Sequence, residues 1–184
     1  MGSLLLRRDW LLASAGLLLG TAACASEPTW ERVTADDASF SVLMPNRAHT
    51  SVQKADSTYG KIDTHFTTAV FRGTTYSLMW VDYPVDAVSS ERRALDYAVS
   101  GALFNTGAKL LEQTEIQIDG FPGRELRASG ATDLPMWVRI YLVGRRLFQL
   151  TVSGPNRPEI EANARKFLDS FHLRDELRLE KTPQ

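Results

Sequence analysis

The chain has 184 residues, 21 basic and 22 acidic side chains, a formal net charge of −1 and one cysteine. That balance excludes the basic footprint typical of nucleic-acid binding. A lone cysteine excludes a disulfide framework within the chain and a multi-thiolate metal site. With 43% hydrophobic residues, there is enough apolar side chain for one ordinary domain whose core needs no covalent staple.

Residues 1–23 read as a leader. Arg7 and Arg8 form a positive start, and the apolar run Leu11 to Leu19 is too short to span a bilayer but suits a secretory signal. Thr21-Ala22-Ala23-Cys24 resembles a bacterial lipoprotein lipobox, with Thr21 standing where Leu is commonest. The resemblance implies cleavage before Cys24 and diacylglycerol on its sulfur, a permanent anchor once two or three acyl chains are attached. The competing reading is a cleaved, soluble secreted protein with a free N-terminal cysteine. Arg7-Arg8-Asp9-Trp10-Leu11 also resembles a twin-arginine export motif, although an ordinary basic start explains the same residues. Ala25 after the cysteine resembles lipoproteins sorted to the outer membrane of Gram-negative bacteria, facing the periplasm. Loss of the leader removes two arginines and one aspartate and moves the net charge to −2.

The expected organisation is a tether over 24–37, a single α+β domain over 38–173 and a polar tail over 174–184. Phe40 to Pro45 alternates as a strand that proline stops, and Thr50 to Lys54 suits a second short strand. Tyr59-Gly60 signals a turn before a strand over Ile62 to Phe71, with Ile62, Thr64, Phe66 and Thr68 on one face. After Gly73 comes the most strand-like segment, Thr75 to Tyr83, which Pro84 ends. Ser90 is placed to cap a helix, Glu91 suits its first turn, and Leu95, Ala98, Val99, Ala102 and Leu103 recur at helical spacing before a left-handed stop at Gly107. Leu110 to Ile118 and Gly123 to Ser129 flank the hairpin signal Asp119-Gly120. Met136 to Val143 and Arg146 to Ser153 form a second hairpin. Asn156-Arg157-Pro158-Glu159 opens a last helix, with proline in its first turn and Ile160, Ala164, Phe167 and Leu168 as its buried stripe. Hairpins with two helices predict an antiparallel sheet of about six to eight strands covered by those helices.

The order of these segments resembles a known family. Phe-x-Val-x-Met-Pro at 40–45, the aromatic strand and single helix, Ile118-Asp-Gly-Phe-Pro-Gly-Arg124-Glu125, the pair from Arg139 to Leu150 and the closing Phe167-Leu-Asp-Ser170-Phe171 resemble small bacterial lipoproteins and secreted domains of the PsbP and Mog1 fold. The resemblance covers roughly 38–173. It implies a sheet sandwiched by helices and a role as an assembly factor, scaffold or binding module. It carries over no functional residue.

Chemistry-bearing residues are sparse. His49, His65 and His172 stand at no ligand spacing, so no metal or cofactor is expected. Gly120 to Gly123 and Gly154-Pro155 lack the phosphate-cradle spacing, and neither Ser153 nor Ser170 sits in a nucleophile motif. Arg124 and Glu125 are neighbours on a strand, so they point to opposite faces and must be matched elsewhere, either structurally or by a partner. Trp80, Tyr83, Trp137, Tyr141 and Phe148 are expected in the core, with Trp80 and Trp137 the candidates for lining a cleft. These observations predict a non-enzymatic, lipid-anchored envelope module that binds a protein partner. The alternative is a carrier or sensor of a small apolar ligand in an aromatic-lined cleft.

Overall fold

The computed structural model describes residues 27–57, 60–84 and 90–174. The leader, Cys24, Tyr59 and the tail from 175 onward lie outside the described residues.

The strands are β1 (Trp30–Thr34), β2 (Phe40–Pro45), β3 (His49–Ser57), β4 (Gly60–Phe71), β5 (Thr74–Asp82), β6 (Lys109–Ile118), β7 (Phe121–Ser129), β8 (Pro135–Val143), β9 (Arg146–Ser153) and β10 (His172–Leu173). The helices are α1 (Glu91–Thr106), between β5 and β6, and α2 (Ile160–Asp169), between β9 and β10. Seven strands form one antiparallel sheet in the order β3-β4-β5-β9-β8-β7-β6, and β1-β2-β10 form a second, three-stranded sheet. The fold is therefore α+β, as its hairpins and two helices predict.

Local chemistry explains the elements. The Ser90 hydroxyl accepts the Arg93 N–H at 3.4 Å, and Gly107 closes α1 at φ 60°, a left-handed conformation that glycine adopts without steric cost. Asp119 (φ 49°) and Gly120 (φ 80°) make the two-residue hairpin turn with both residues left-handed. In β8 nearly every residue is buried because the strand is covered on both faces, whereas the edge strand β6 is largely exposed. Gly123 is needed where β7 passes β8. A Cβ there would lie 2.6 Å from both the Ile140 carbonyl oxygen and the Tyr141 ring.

The two faces of the large sheet carry separate cores. On one, Leu95, Val99 and Ala102 of α1 pack on Leu126, Val138, Ile140, Leu142 and Leu147. On the other, α2 and the three-stranded sheet bury Phe40, Tyr76, Trp137, Tyr141, Phe148, Phe167 and Phe171.

Two expectations are corrected, and one element is added. The segment assigned to a tether contains β1, which runs antiparallel to β2 from Trp30↔Pro45 to Thr34↔Ser41. Its sequence carries no clean alternation, since Trp30 and Val33, on opposite parities, both pack on the core. Pro158 lies in a turn before α2 rather than in its first turn, and the Ile160 N–H donates to the Arg157 carbonyl at 3.1 Å. The two-residue strand β10 was not foreseen. It follows α2 and closes on Phe40 and Ser41, and the Arg174 N–H beyond it donates to the Ser39 carbonyl.

Candidate functional site

The residues singled out in the sequence do not converge on one site. Arg124 and Glu125 do point to opposite faces of β7. Arg124 is 5% exposed on the α1 face. Its guanidinium lies 3.3 Å from Glu115 of β6 and 3.7 Å from Asp96 of α1, and donates to the Gly123 carbonyl at 3.1 Å. Glu125 accepts from Arg139 of β8 at 2.5 Å on the α2 face, and Arg139 also reaches Asp169 at the end of α2 at 2.7 Å. Burial is the largest influence and disfavours the Arg139 charge, but the bonds it donates to Glu125 and Asp169 and the nearby Tyr141 together outweigh it and raise its pKa. The pair thus fastens the hairpin to a helix on each side. Both charges meet opposite charges within the protein, while the Arg124 Nε–H is buried without an acceptor among the described residues.

Trp80 is half-buried on the α2 face. The His65 ring stacks on it at 3.7 Å and 5°, and the Arg146 guanidinium lies 4.2 Å from its ring centre. Arg146 is the polar hub that sequence reasoning missed. It makes two 2.7 Å bonds to the Asp82 carboxylate, one of 2.6 Å to Asp37 and one of 2.9 Å to the Ser39 hydroxyl. The Asp82 bonds are the leading cause that raises the Arg146 pKa. Burial alone would raise the Asp37 carboxyl, but bonds from Ser39 and Arg146 hold it below its ordinary value. The only local clue was the basic turn Gly144-Arg145-Arg146, because the acids that meet it come from distant segments.

Beside this hub is an open groove of about 470 Å³ between the β1–β2 turn and the β3–β4 edge, with Trp80, His65, Phe40, Val52 and Asp36 among its lining. A second open groove, of about 530 Å³, lies where β7 and β8 meet the start of α2 and is lined by Trp137 and Arg127. Trp137 is 6% exposed, and its indole N–H has no acceptor among the described residues. Trp80 and Trp137 therefore belong to different grooves.

The remaining candidates are accounted for structurally. The Ser170 hydroxyl donates to the Phe167 carbonyl at 2.6 Å and accepts the Leu43 N–H at 2.8 Å, tying α2 to β2. The histidines sit on β3, β4 and β10. Among the described residues no three His, Cys, Asp or Glu side chains are placed to hold a metal ion, and no helix is long and apolar enough to cross a membrane.

Comparison with known proteins found no matching family model and no matching curated sequence. Among solved structures, PA94 from Pseudomonas aeruginosa, a protein of unknown function, is 12% identical over 73% of this chain and 87% of its own, with a TM-score of 0.40. The solution structure of cyanobacterial PsbP (CyanoP) from Synechocystis sp. PCC 6803 covers 85% of this chain and 99% of its own, with a TM-score of 0.57 at 13% identity. At that identity the likeness concerns architecture alone: the chain has a PsbP-like fold.

Proposed function

We propose that this protein is a non-enzymatic binding or assembly module, held at a cell-envelope membrane by lipid on Cys24, whose α1 face receives a protein partner. The observation that carries the partner reading is on α1. Tyr97 is 77% exposed and Phe104 86% exposed. They are seven residues apart and so share one face of the helix. Leu111, just past the helix, is 64% exposed. Grouped exposed apolar side chains favour a docking role over solvent contact. Their position favours a protein over the bilayer. The N-terminal strand β1 lies on the opposite side of the large sheet from α1. Pro28 is buried, and the Thr29 carbonyl accepts the Asn46 N–H. The leash from Cys24 to Pro28 is then four residues, about 14 Å at most. That is shorter than a tether reaching residue 37, and it turns α1 away from the anchored side. A PsbP-like fold fits such a module. The lipobox resemblance and Ala25 favour an outer-membrane location facing the periplasm in a Gram-negative host. The carrier reading, an apolar ligand enclosed in an aromatic-lined cleft, ranks lower because both grooves are open and include charged side chains in their lining.

The test places a photocrosslinking amino acid at 97 or 104 of the full-length protein in intact cells. A discrete protein adduct at both positions, absent with the crosslinker at the exposed Val70 of β4, is the expected result. Adducts to lipid alone, or the same pattern at all three positions, would defeat the reading. Separately, Cys24→Ser should abolish fatty-acid labelling and membrane fractionation. An unlabelled wild type, or a variant that stays with membranes, would remove the anchor.

A further inference from the structure

We propose that the groove where β7 and β8 meet the start of α2 binds a small carboxylate with a flat apolar body. The site stands independently of the α1 surface, which lies on the opposite face of the large sheet.

The lining is mixed, with four apolar side chains beside Arg127, Asn156, Arg157 and Glu161. Trp137 supplies an indole, and Pro135, Pro158 and Ile160 supply walls, in a space of about 530 Å³. That volume falls within the range of small-molecule sites. Its polar groups are Arg127, Asn156, Arg157, Glu161 and the Trp137 indole, mostly donors. The Trp137 indole N–H is buried without an acceptor among the described residues. A buried donor left unpaired costs about 1–3 kcal/mol, so an oxygen supplied from outside would relieve a defect the fold tolerates.

The Arg127 guanidinium lies over the indole, 4.9 Å from the ring centre. A carboxylate held by Arg127 therefore stands beside the indole as well. Arg127 is only loosely engaged in the free protein, 3.5 Å from Glu161, whereas Glu161 has a closer partner in Arg165 at 3.1 Å. Arg157 borders the same groove, is exposed, and forms no side-chain ion pair among the described residues. Two guanidiniums against one carboxylate leave the groove net positive.

Glu161 identifies the ligand chemistry. Its carboxylate already sits against Arg127 in the position a ligand would take, and Arg165 can retain it when it is displaced. A planar carboxylate matches the guanidinium fork with one or both oxygens. The apolar members of the lining, Trp137, Pro135, Pro158 and Ile160, meet the ligand's flat body.

The experiment titrates sodium benzoate into the 15N-labelled full-length protein and follows the Trp137 indole N–H cross-peak, assigned by its loss in Trp137→Phe. A saturable shift with half-saturation at or below about 1 mM is expected. Arg157→Gln should weaken binding about tenfold, and Glu161→Gln, which removes the competing carboxylate, should strengthen it about threefold or more. Both residues are exposed, so an otherwise unchanged spectrum will show that the fold persists. Methyl benzoate, the neutral ester, should leave the peak in place. No saturable shift, an equal response to the ester, or indifference to both substitutions would overturn the proposal. Inorganic phosphate shifting the peak as tightly as benzoate would overturn the assignment to a carboxylate.

Discussion

The two faces of the seven-stranded sheet are built by different means. The α1 face is covered by one helix of 16 residues on an aliphatic bed of Leu, Val, Ile and Met side chains. Its contacts are interchangeable in shape, and its one internal charge, Arg124, is met by Glu115 and Asp96. The opposite face is covered by pieces from both ends of the chain: β1 and β2 from the start, α2 and β10 from the end. Most rings there meet edge-on or tilted, as in Phe40–Phe148 at 5.3 Å and Phe148–Phe171 at 5.1 Å, while Tyr141 and Phe171 stack at 5.9 Å. Arginines line its margins: Arg146 bonds Asp37, Arg139 bonds Asp169, and Arg127 stands 3.5 Å from Glu161. A single helix covers its face as a continuous strip, whereas a cover assembled from several pieces leaves seams. Both grooves lie on the assembled side, beside those arginines.

The strongest way to break this contrast is at the ring cluster. Phe148 is fully buried, and Phe148→Ala should destabilise by about 3–5 kcal/mol in urea unfolding, while Leu95→Ala on α1 falls toward the lower end of about 2–5 kcal/mol. Equal losses would mean that the assembled face is no more dependent on a single side chain than the helix face.

Alkali should act on the aromatic face through Tyr76. Burial pushes its hydroxyl up to about 12, with Glu159 adding to the rise. The folded state keeps that proton while the unfolded chain loses it near its ordinary value of about 10. The stabilisation is complete below pH 10 and falls by about 1.4 kcal/mol per unit as pH rises toward 12. Tyr141, also raised by burial, contributes in the same direction. Tyr76→Phe should therefore lose less stability than the wild type between pH 9 and 11, and parallel losses would show that Tyr76 ionises equally in both states.

At the seam, Arg146→Gln should cost about 1–2 kcal/mol, since it removes charge-assisted bonds to carboxylates that remain partly in water. Its effect should shrink in acid, because the lowered Asp37 carboxyl stabilises the fold above its unfolded pKa and stops doing so as pH falls through the folded one. A loss that is constant from pH 7 to pH 3 would contradict this coupling.

The smallest effect has the opposite sign. Gly101 lies within α1 between Tyr97 and Phe104, and nothing lies within 4 Å of where its Cβ would stand. Gly101→Ala should stabilise by about 0.5–1 kcal/mol, read as a raised melting temperature. Destabilisation would mean that the outer face of α1 is already closely packed.

Local features were legible because their causes are local. Ser90 and Gly107 bracket α1, Asp119-Gly120 turns its hairpin, and the stripe Ile160, Ala164, Phe167 and Leu168 is the buried face of α2. The opposed directions of Arg124 and Glu125 followed from strand geometry alone. β1 was missed because five residues with two exposed glutamate and arginine side chains pack only through a distant partner. β10 was missed because two residues carry no periodicity. Trp80 and Trp137 were identifiable as cleft candidates from their size and position, but their assignment to separate grooves depends on strand order. The Arg146 hub and the orphaned Trp137 indole were invisible for the same reason.

The sequence by itself determined the helices with their caps, the hairpins and the alternation that gives the large sheet two apolar faces, because each depends on residues a few positions apart. Only the tertiary structure decided which segments cover each face, which carboxylate meets which arginine, and where the cover stops short. Those outcomes depend on partners far apart in the chain, 109 residues for Asp37 and Arg146 and 127 for Leu43 and Ser170, and no local pattern encodes such a meeting.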